Sequence, residues 1–319
     1  MKKQILIFES SGLNQDKIKF LIKKFKNIKF IKTNDKFLSK GLELRNINAV
    51  INIPRHHFNK NLLSQMTKLE WIHSGGAGIE KFLIPELVNS KIELTNGKII
   101  QGPEVSEHAI GLLLSITRNI KFSYNSINKQ KLRRPIELRN KKCLIFGLGG
   151  IGILIAEKLK SFGMYIVGVS NEMTPILSCV DEKYETNNFV KKLNSMDVVI
   201  CSAPLTFKTK NFFNKNIFSK MKKDSIFINI SRGELVNTDH LVNFLKKDKF
   251  FGVGLDVSNP EPLQKNHYLK KKDNVVLTPH IAGPSDKNRE RSFQLILKNI
   301  QLYQAKEKLL NIVDKKLGF

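Results

Sequence analysis

The chain has 319 residues, 41% of them hydrophobic, with 19 Gly and 10 Pro, which suits two ordinary folded domains and excludes a disordered or collagen-like chain. Its net charge is +26, but 45 of the 54 cations are lysines spread along the whole length, the pattern of a solvated surface and not of a nucleic-acid-binding stripe. Cys143, Cys179 and Cys201 lie far apart with no Cys-x-x-Cys spacing, so neither a disulfide framework nor a metal site is expected.

The opening MKKQILIFES carries too short an apolar run for a secretory signal, and no run of about 18 apolar residues follows, so a cytoplasmic chain off the membrane is expected. Residues 4–8 (QILIF) read as a strand and 16–25 as an amphipathic helix with Ile18, Leu21 and Ile22 on one side. Residues 28–31, 49–53, 71–73 and 92–94 are further strands, a β-α-β rhythm that implies a parallel sheet covered by helices. Gly102-Pro103 punctuates the chain before its longest apolar helix, 105–120, and 121–139 is a polar, basic connection. A second alternation then begins, with strands at 143–146, 166–169, 198–201, 226–230, 253–257 and 275–277, helix 151–162 after the first of them, and a closing helix at 288–304.

CLIFGLGGIG places Gly147, Gly149 and Gly152 in a G-x-G-x-x-G between an apolar strand and a helix, the context in which this pattern marks a dinucleotide turn. Gly147 permits the turn, Gly149 lets a pyrophosphate approach the backbone, and Gly152 allows close packing; Gly150 and Ile151 open the helix whose N–H groups face the phosphates. The next strand ends in Ser170-Asn171, where an NAD-selective chain carries an acid for the ribose hydroxyls. Glu172 is near, and no Arg is adjacent to grip a 2′-phosphate, so NAD(P) is expected, leaning to NADP.

From about residue 73 to 283 the chain resembles the D-isomer-specific 2-hydroxyacid dehydrogenases, on the segments HSGGAGIEKF, NGKIIQGPEVSEHAIGLLL, INISRGELVNTDHL, GLDVSNPEPL and LTPHIAG. The resemblance implies Arg232, Glu261 and His280 as the catalytic set and the turn at Gly76, Ala77 and Gly78 as the substrate-carboxylate loop, with Arg232 a second substrate ligand. It also implies that Val105 approaches the nicotinamide, that Ala203, Pro204, Leu205, Ile230, Ala282 and Gly283 line the cofactor site, and that Asp256 bonds the carboxamide.

These residue types suit hydride transfer to a 2-keto carbon. The arginine fork holds carboxylate and carbonyl oxygens together, which a lysine does poorly. A histidine gives the alkoxide its proton near neutral pH, and a carboxylate bonded to it fixes its orientation. Arg55, His56 and His57, after the strand at 49–53, read more as a solvated loop than as part of the site mouth. The connection at 121–139 is shorter than the family's usual one and lacks its tryptophan; Glu261, where formate dehydrogenases carry glutamine, argues against formate; and with no extension after Phe319, a further regulatory domain is not expected.

The expected fold is α/β with two doubly wound parallel sheets: a flavodoxin-like substrate domain, 1–102 plus 285–319, and a Rossmann NAD(P)-binding domain, 103–284. The expected reaction is reversible reduction of a small 2-keto acid to its D-2-hydroxy acid, glyoxylate or hydroxypyruvate first. A different D-2-hydroxy acid, including 3-phosphoglycerate, and a dinucleotide-sensing protein like the family's corepressors are the alternatives. The helix 105–120 is expected to join a homodimer, and neither nucleic acid nor membrane is expected as a partner.

Overall fold

The structure is a computed structural model that describes residues 2–10, 12–33, 43–125, 133–171 and 178–319. It divides into two compact units, Met1–Gln101 with Ser285–Phe319, and Gly102–Pro284.

The first unit holds five parallel strands, β1 (Lys3–Phe8), β2 (Ile28–Thr33), β3 (Ala49–Ile51), β4 (Trp71–Ser74) and β5 (Glu93–Asn96), in the order β2-β1-β3-β4-β5. That is the flavodoxin-like order. Helices α1 (Gln15–Lys24), α2 (Lys60–Gln65) and α3 (Pro85–Val88) connect them. Alternate residues face opposite sides: Ile5, Ile7, Ala49, Ile51 and Trp71 pack with Ile296 and Ile300 of the helix Asn288–Ala305, whereas Leu6, Phe8, Val50 and Ile72 pack with Leu62, Leu63 and Phe82. The third strand stops two residues before the apolar run does, because Asn52 takes a left-handed φ of 59°.

The second unit opens with α4 (Gly102–Thr117) and α5 (Ile120–Asn125). Gly102 and Pro103, read from sequence as punctuation, form the first helical turn, where proline's missing N–H is harmless. The strands β6 (Lys142–Phe146), β7 (Tyr165–Val169), β8 (Glu182–Tyr184), β9 (Val198–Cys201), β10 (Ser225–Asn229), β11 (Phe250–Leu255) and β12 (Val275–Leu277) form one parallel sheet, ordered β12-β11-β10-β9-β6-β7-β8. This is the Rossmann order, with the topological switch between β6 and β9. Helix α6 (Gly150–Ser161) follows β6, α7 (Lys215–Lys220) precedes β10, α8 (Thr238–Lys246) precedes β11 and α9 (Tyr268–Lys271) precedes β12.

Helix α4 lies on one face of this sheet with Val105, Ala109, Leu112, Leu113 and Ile116 buried in its own unit's core. A Cβ at Gly252 would fall 2.3 Å from Ile116, and one at Gly254 would fall 3.1 Å from Leu112, so two glycines of β11 let the helix ride close to the strand. Most of the helix's apolarity is therefore accounted for within this unit.

Candidate active site

The glycine turn follows β6. Gly147 has φ 107°, and a Cβ there would meet the Ala203 nitrogen at 2.6 Å. A Cβ at Gly152 would fall 2.0 Å from the Gly147 carbonyl oxygen, which also accepts a 2.8 Å bond from Ser202 Oγ. Gly149 is different: a Cβ there would meet nothing within 4 Å. Gly149 is also the N-cap of α6 and brings no side chain to its first turn, so the backbone N–H groups and the helix dipole face open space. This cradle fits a dinucleotide pyrophosphate. Beside it, Gly168 in β7 leaves room for the buried Leu148, whose Cδ1 would be 2.1 Å from any Cβ.

Ser170 follows β7, and its N–H donates to the Tyr184 carbonyl at 3.0 Å, which ties it to β8. The side-chain oxygen of Asn171 accepts from the Thr186 N–H and hydroxyl, each at 2.9 Å. Glu172 lies outside the described residues.

Arg232 sits just past the end of β10, on a turn clamped by the fully buried Asn229. Its Nδ2 donates to the Arg232 carbonyl at 2.9 Å, and its Oδ1 accepts from the Ser231 N–H and hydroxyl at 3.1 Å each. The Arg232 guanidinium donates to the Ser231 carbonyl at 2.7 Å. Gly233 is required because a Cβ there would fall 1.9 Å from the Ser258 oxygen, on the loop that leads into Glu261. Sequence spacing alone shows neither the clamp nor this backbone contact.

Glu261 and His280 meet: Nδ1 of His280 is 2.7 Å from Glu261 Oε1. His280 is left-handed, with φ 55°, a conformation that costs a non-glycine residue about 1 kcal/mol or more. It is held there by Asp256, whose carbonyl accepts from the His280 N–H at 2.8 Å. The Asp256 carboxylate is 2% exposed as part of its residue; Oδ1 accepts from Thr278 Oγ1 at 2.6 Å and the Ile281 N–H at 3.0 Å, and Oδ2 from the Ala282 N–H at 3.1 Å. His108 Nε2, on α4, lies 2.8 Å from Thr278 Oγ1 and 3.3 Å from Asp256 Oδ1.

In the first unit, the turn after β4 is held through its carbonyls. The Gly76 oxygen accepts from the Gly97 N–H at 3.1 Å, the Ala77 oxygen from Asn96 Nδ2 at 2.8 Å, and the Gly78 oxygen from Arg55 Nη2 at 2.8 Å. Arg55, exposed on its turn as the sequence led one to expect, also touches the candidate carboxylate loop. His73, just upstream, is fully buried and bonded to Thr95 Oγ1 at 2.9 Å; burial pushes its imidazole down to about 4.

No helix among the described residues is long and apolar enough to cross a membrane, and no cluster of His, Cys, Asp and Glu among them is arranged to hold a metal. A family model described as D-isomer specific 2-hydroxyacid dehydrogenase, NAD binding domain, matches residues 110–282. The chain is similar to a glyoxylate reductase of Thermofilum pendens, 32% identical over 81% of this chain and 79% of the relative. It is similar to a glyoxylate reductase/hydroxypyruvate reductase of Homo sapiens, 29% identical over 76% of this chain and 77% of the relative. A crystal structure of a D-isomer specific 2-hydroxyacid dehydrogenase family protein from Aeromonas salmonicida superposes with TM-score 0.82 and 26% identity, covering 99% of this chain and 100% of its own.

Proposed function

The chain belongs to the D-isomer-specific 2-hydroxyacid dehydrogenase family, NAD(P)-dependent enzymes that act on CH–OH groups, and from that premise we propose that it reduces glyoxylate or hydroxypyruvate, reversibly, to the 2-hydroxy acid. The observation that carries the reading is the His280–Glu261 pair at 2.7 Å on a turn held in a left-handed conformation. Glu261 accepts a hydrogen bond from the Nδ1–H of His280, so Nε2 is the nitrogen that gives its proton to the forming alkoxide. Arg232 grips the carboxylate and polarises the carbonyl oxygen with its planar fork. The turn at Gly76, Ala77 and Gly78, its carbonyls already bonded, offers N–H groups to the substrate carboxylate.

The nicotinamide dinucleotide, when bound, supplies the hydride. Gly147, Gly149 and Gly152 would seat its pyrophosphate with the Gly150 and Ile151 N–H groups, and Ser170 and Asn171 would reach its ribose. Val105, Ala203, Pro204, Leu205, Ile230, Ala282 and Gly283 would line its site. Asp256 Oδ2, which accepts from Ala282, has a second lone pair for the carboxamide. With Ser170 where an acid would repel a 2′-phosphate, NADP is the favoured form.

The test is oxidation of NADH and NADPH, read by absorbance, across a panel of 2-keto acids. Turnover greatest with glyoxylate or hydroxypyruvate supports the reading. Cofactor binding with no turnover of any keto acid favours a dinucleotide-sensing role instead. A second reading, a phosphorylated substrate such as 3-phosphoglycerate, is favoured by Arg55 standing against the carboxylate loop; preference for that acid would replace the first. A homodimer through the 105–120 helix belongs to the same proposal, with exposed Ile120 at the end of that stretch, and sedimentation velocity checks it.

A further inference from the structure

The helix α4 and the strand β11 run past each other in register. Leu112 covers Gly254 and Ile116 covers Gly252. Four helical residues advance about 6 Å and two strand residues about 6.6 Å, so the pairing continues one step on. That step sets His108, one turn before Leu112, against Asp256, two residues beyond Gly254. The observed distance of 3.3 Å from Nε2 to Asp256 Oδ1 agrees.

Protons can be assigned along the chain of contacts. The Thr278 hydroxyl donates to Asp256 Oδ1 at 2.6 Å. That spends the one hydroxyl hydrogen. Thr278 Oγ1 must then accept from His108 Nε2 at 2.8 Å, which fixes the tautomer of His108 with its proton on Nε2. His108 is half-buried, with 21% of its side chain exposed, so this bond competes with little water.

Asp256 is the hub of these contacts. Its N–H donates to the Asn229 carbonyl at 3.0 Å, joining it to the residue that clamps the Arg232 turn. Its carbonyl takes the His280 N–H, and its carboxylate takes the Ile281 and Ala282 N–H groups. Whatever orients that carboxylate orients the backbone on which His280 stands. Thr278 is the side chain that bonds it, and His108 is what turns the Thr278 hydroxyl towards it.

We propose that His108 is a positioning residue: by donating to Thr278 it locks the Asp256 carboxylate under the left-handed turn and so aims His280 at its substrate. The functional half of this inference rests on His280 being the proton donor; the structural half, that His108 holds the turn, does not. His108 touches neither substrate nor cofactor in this role.

The experiment compares full-length parent with His108→Leu, which keeps volume without a donor, and His108→Gln, which restores an N–H. Two quantities are read: amide hydrogen exchange at Ile281 and Ala282, and steady-state kinetics with the best 2-keto acid. In His108→Leu, exchange at both amides should quicken about tenfold, and kcat should fall about tenfold to thirtyfold. His108→Gln should bring both readings back to within about threefold of the parent. Should His108→Leu fail to fold, Thr278→Val removes the same hydroxyl link and carries the same expectation. Unchanged exchange, an unchanged kcat in an active enzyme, or equal losses in the Leu and Gln variants would each overturn the inference. A parent that turns over no keto acid sinks the reductase reading, and exchange alone then decides whether His108 holds the turn.

Discussion

Nδ1 of His280 lies 2.7 Å from Oε1 of Glu261, with 48% and 42% of the two side chains exposed. A polar contact so open to water contributes little to folding, about 0–1 kcal/mol at most, so the energetic value of this contact is in orientation. His280→Ala should therefore fold as the parent does, bind dinucleotide nearly as tightly, and lose roughly 10²–10⁴ in turnover, the size of a lost general acid. Turnover by kinetics and affinity by fluorescence titration check this, and a rate near the parent's removes His280 from the chemistry.

Arg232 is set by a buried asparagine and by its own bond to the Ser231 carbonyl, so its fork has a defined plane. A lysine keeps the charge and loses the plane. Arg232→Lys should cost at least about tenfold in kcat/KM for the best keto acid. A loss below about threefold, or about 0.7 kcal/mol of transition-state binding, would show that no bidentate grip exists there.

The strands and the glycine turn were legible because a strand buried on both faces is an unbroken apolar run, as in CLIF and VVIC. Arg232, Glu261 and His280 were proposed from the resemblance of the segments around them, and the last two meet at 2.7 Å. Strand β8, Glu182–Tyr184, was not: it is three polar residues whose place comes from pairing with Val167–Val169 and from Glu182 accepting the hydroxyls of Tyr165 and Tyr184. Helices α7 and α9 are too short to show a period. The role of His108 has no local signal, since its partner Thr278 is 170 residues away. The reason for Gly233 is the Ser258 oxygen, which no local pattern reveals.

The glycines of the turn separate folding from binding. A Cβ at Gly149 meets nothing, so Gly149→Ala should leave thermal stability within about 0.5 kcal/mol of the parent. If a pyrophosphate occupies that space, dinucleotide affinity should fall about tenfold or more, near 1.4 kcal/mol. Gly152→Ala drives a Cβ into the Gly147 oxygen and should lose both affinity and about 1–3 kcal/mol of stability. Calorimetric titration and thermal melts of the two variants test the pair; parental affinity in Gly149→Ala would place the phosphates elsewhere.

On the proposed reading, cofactor preference should turn on Ser170. Asn171 spends its side-chain oxygen on Thr186, which leaves its NH₂ as the polar end it can offer a 2′-phosphate. One or two such neutral bonds should favour NADPH by about 1 kcal/mol, roughly fivefold in kcat/KM. Ser170→Asp should move the ratio towards NADH by repelling the phosphate. A tenfold preference for NADH in the parent contradicts the assignment, and a ratio indifferent to Ser170→Asp removes Ser170 from the ribose.

His73 should make the protein acid-sensitive before its carboxylates titrate. Burial without a partner for Nε2 among the described residues pushes its imidazole down to about 4 from 6.5. The unfolded chain takes up a proton below pH 6.5 that the folded chain refuses until near pH 4. Stability from this residue is thus complete at pH 7, falls with acid through that window, and is down by on the order of 3 kcal/mol at its lower end. Between pH 7 and pH 5 the loss should be about 2 kcal/mol. Urea unfolding at both pH values, in the parent and in His73→Gln, measures it. The variant should be less stable at pH 7, since it disturbs the bond to Thr95, but should lose about 2 kcal/mol less on acidification. Equal losses in the two proteins would mean that some other group carries the acid sensitivity and that His73 accepts a proton in the fold.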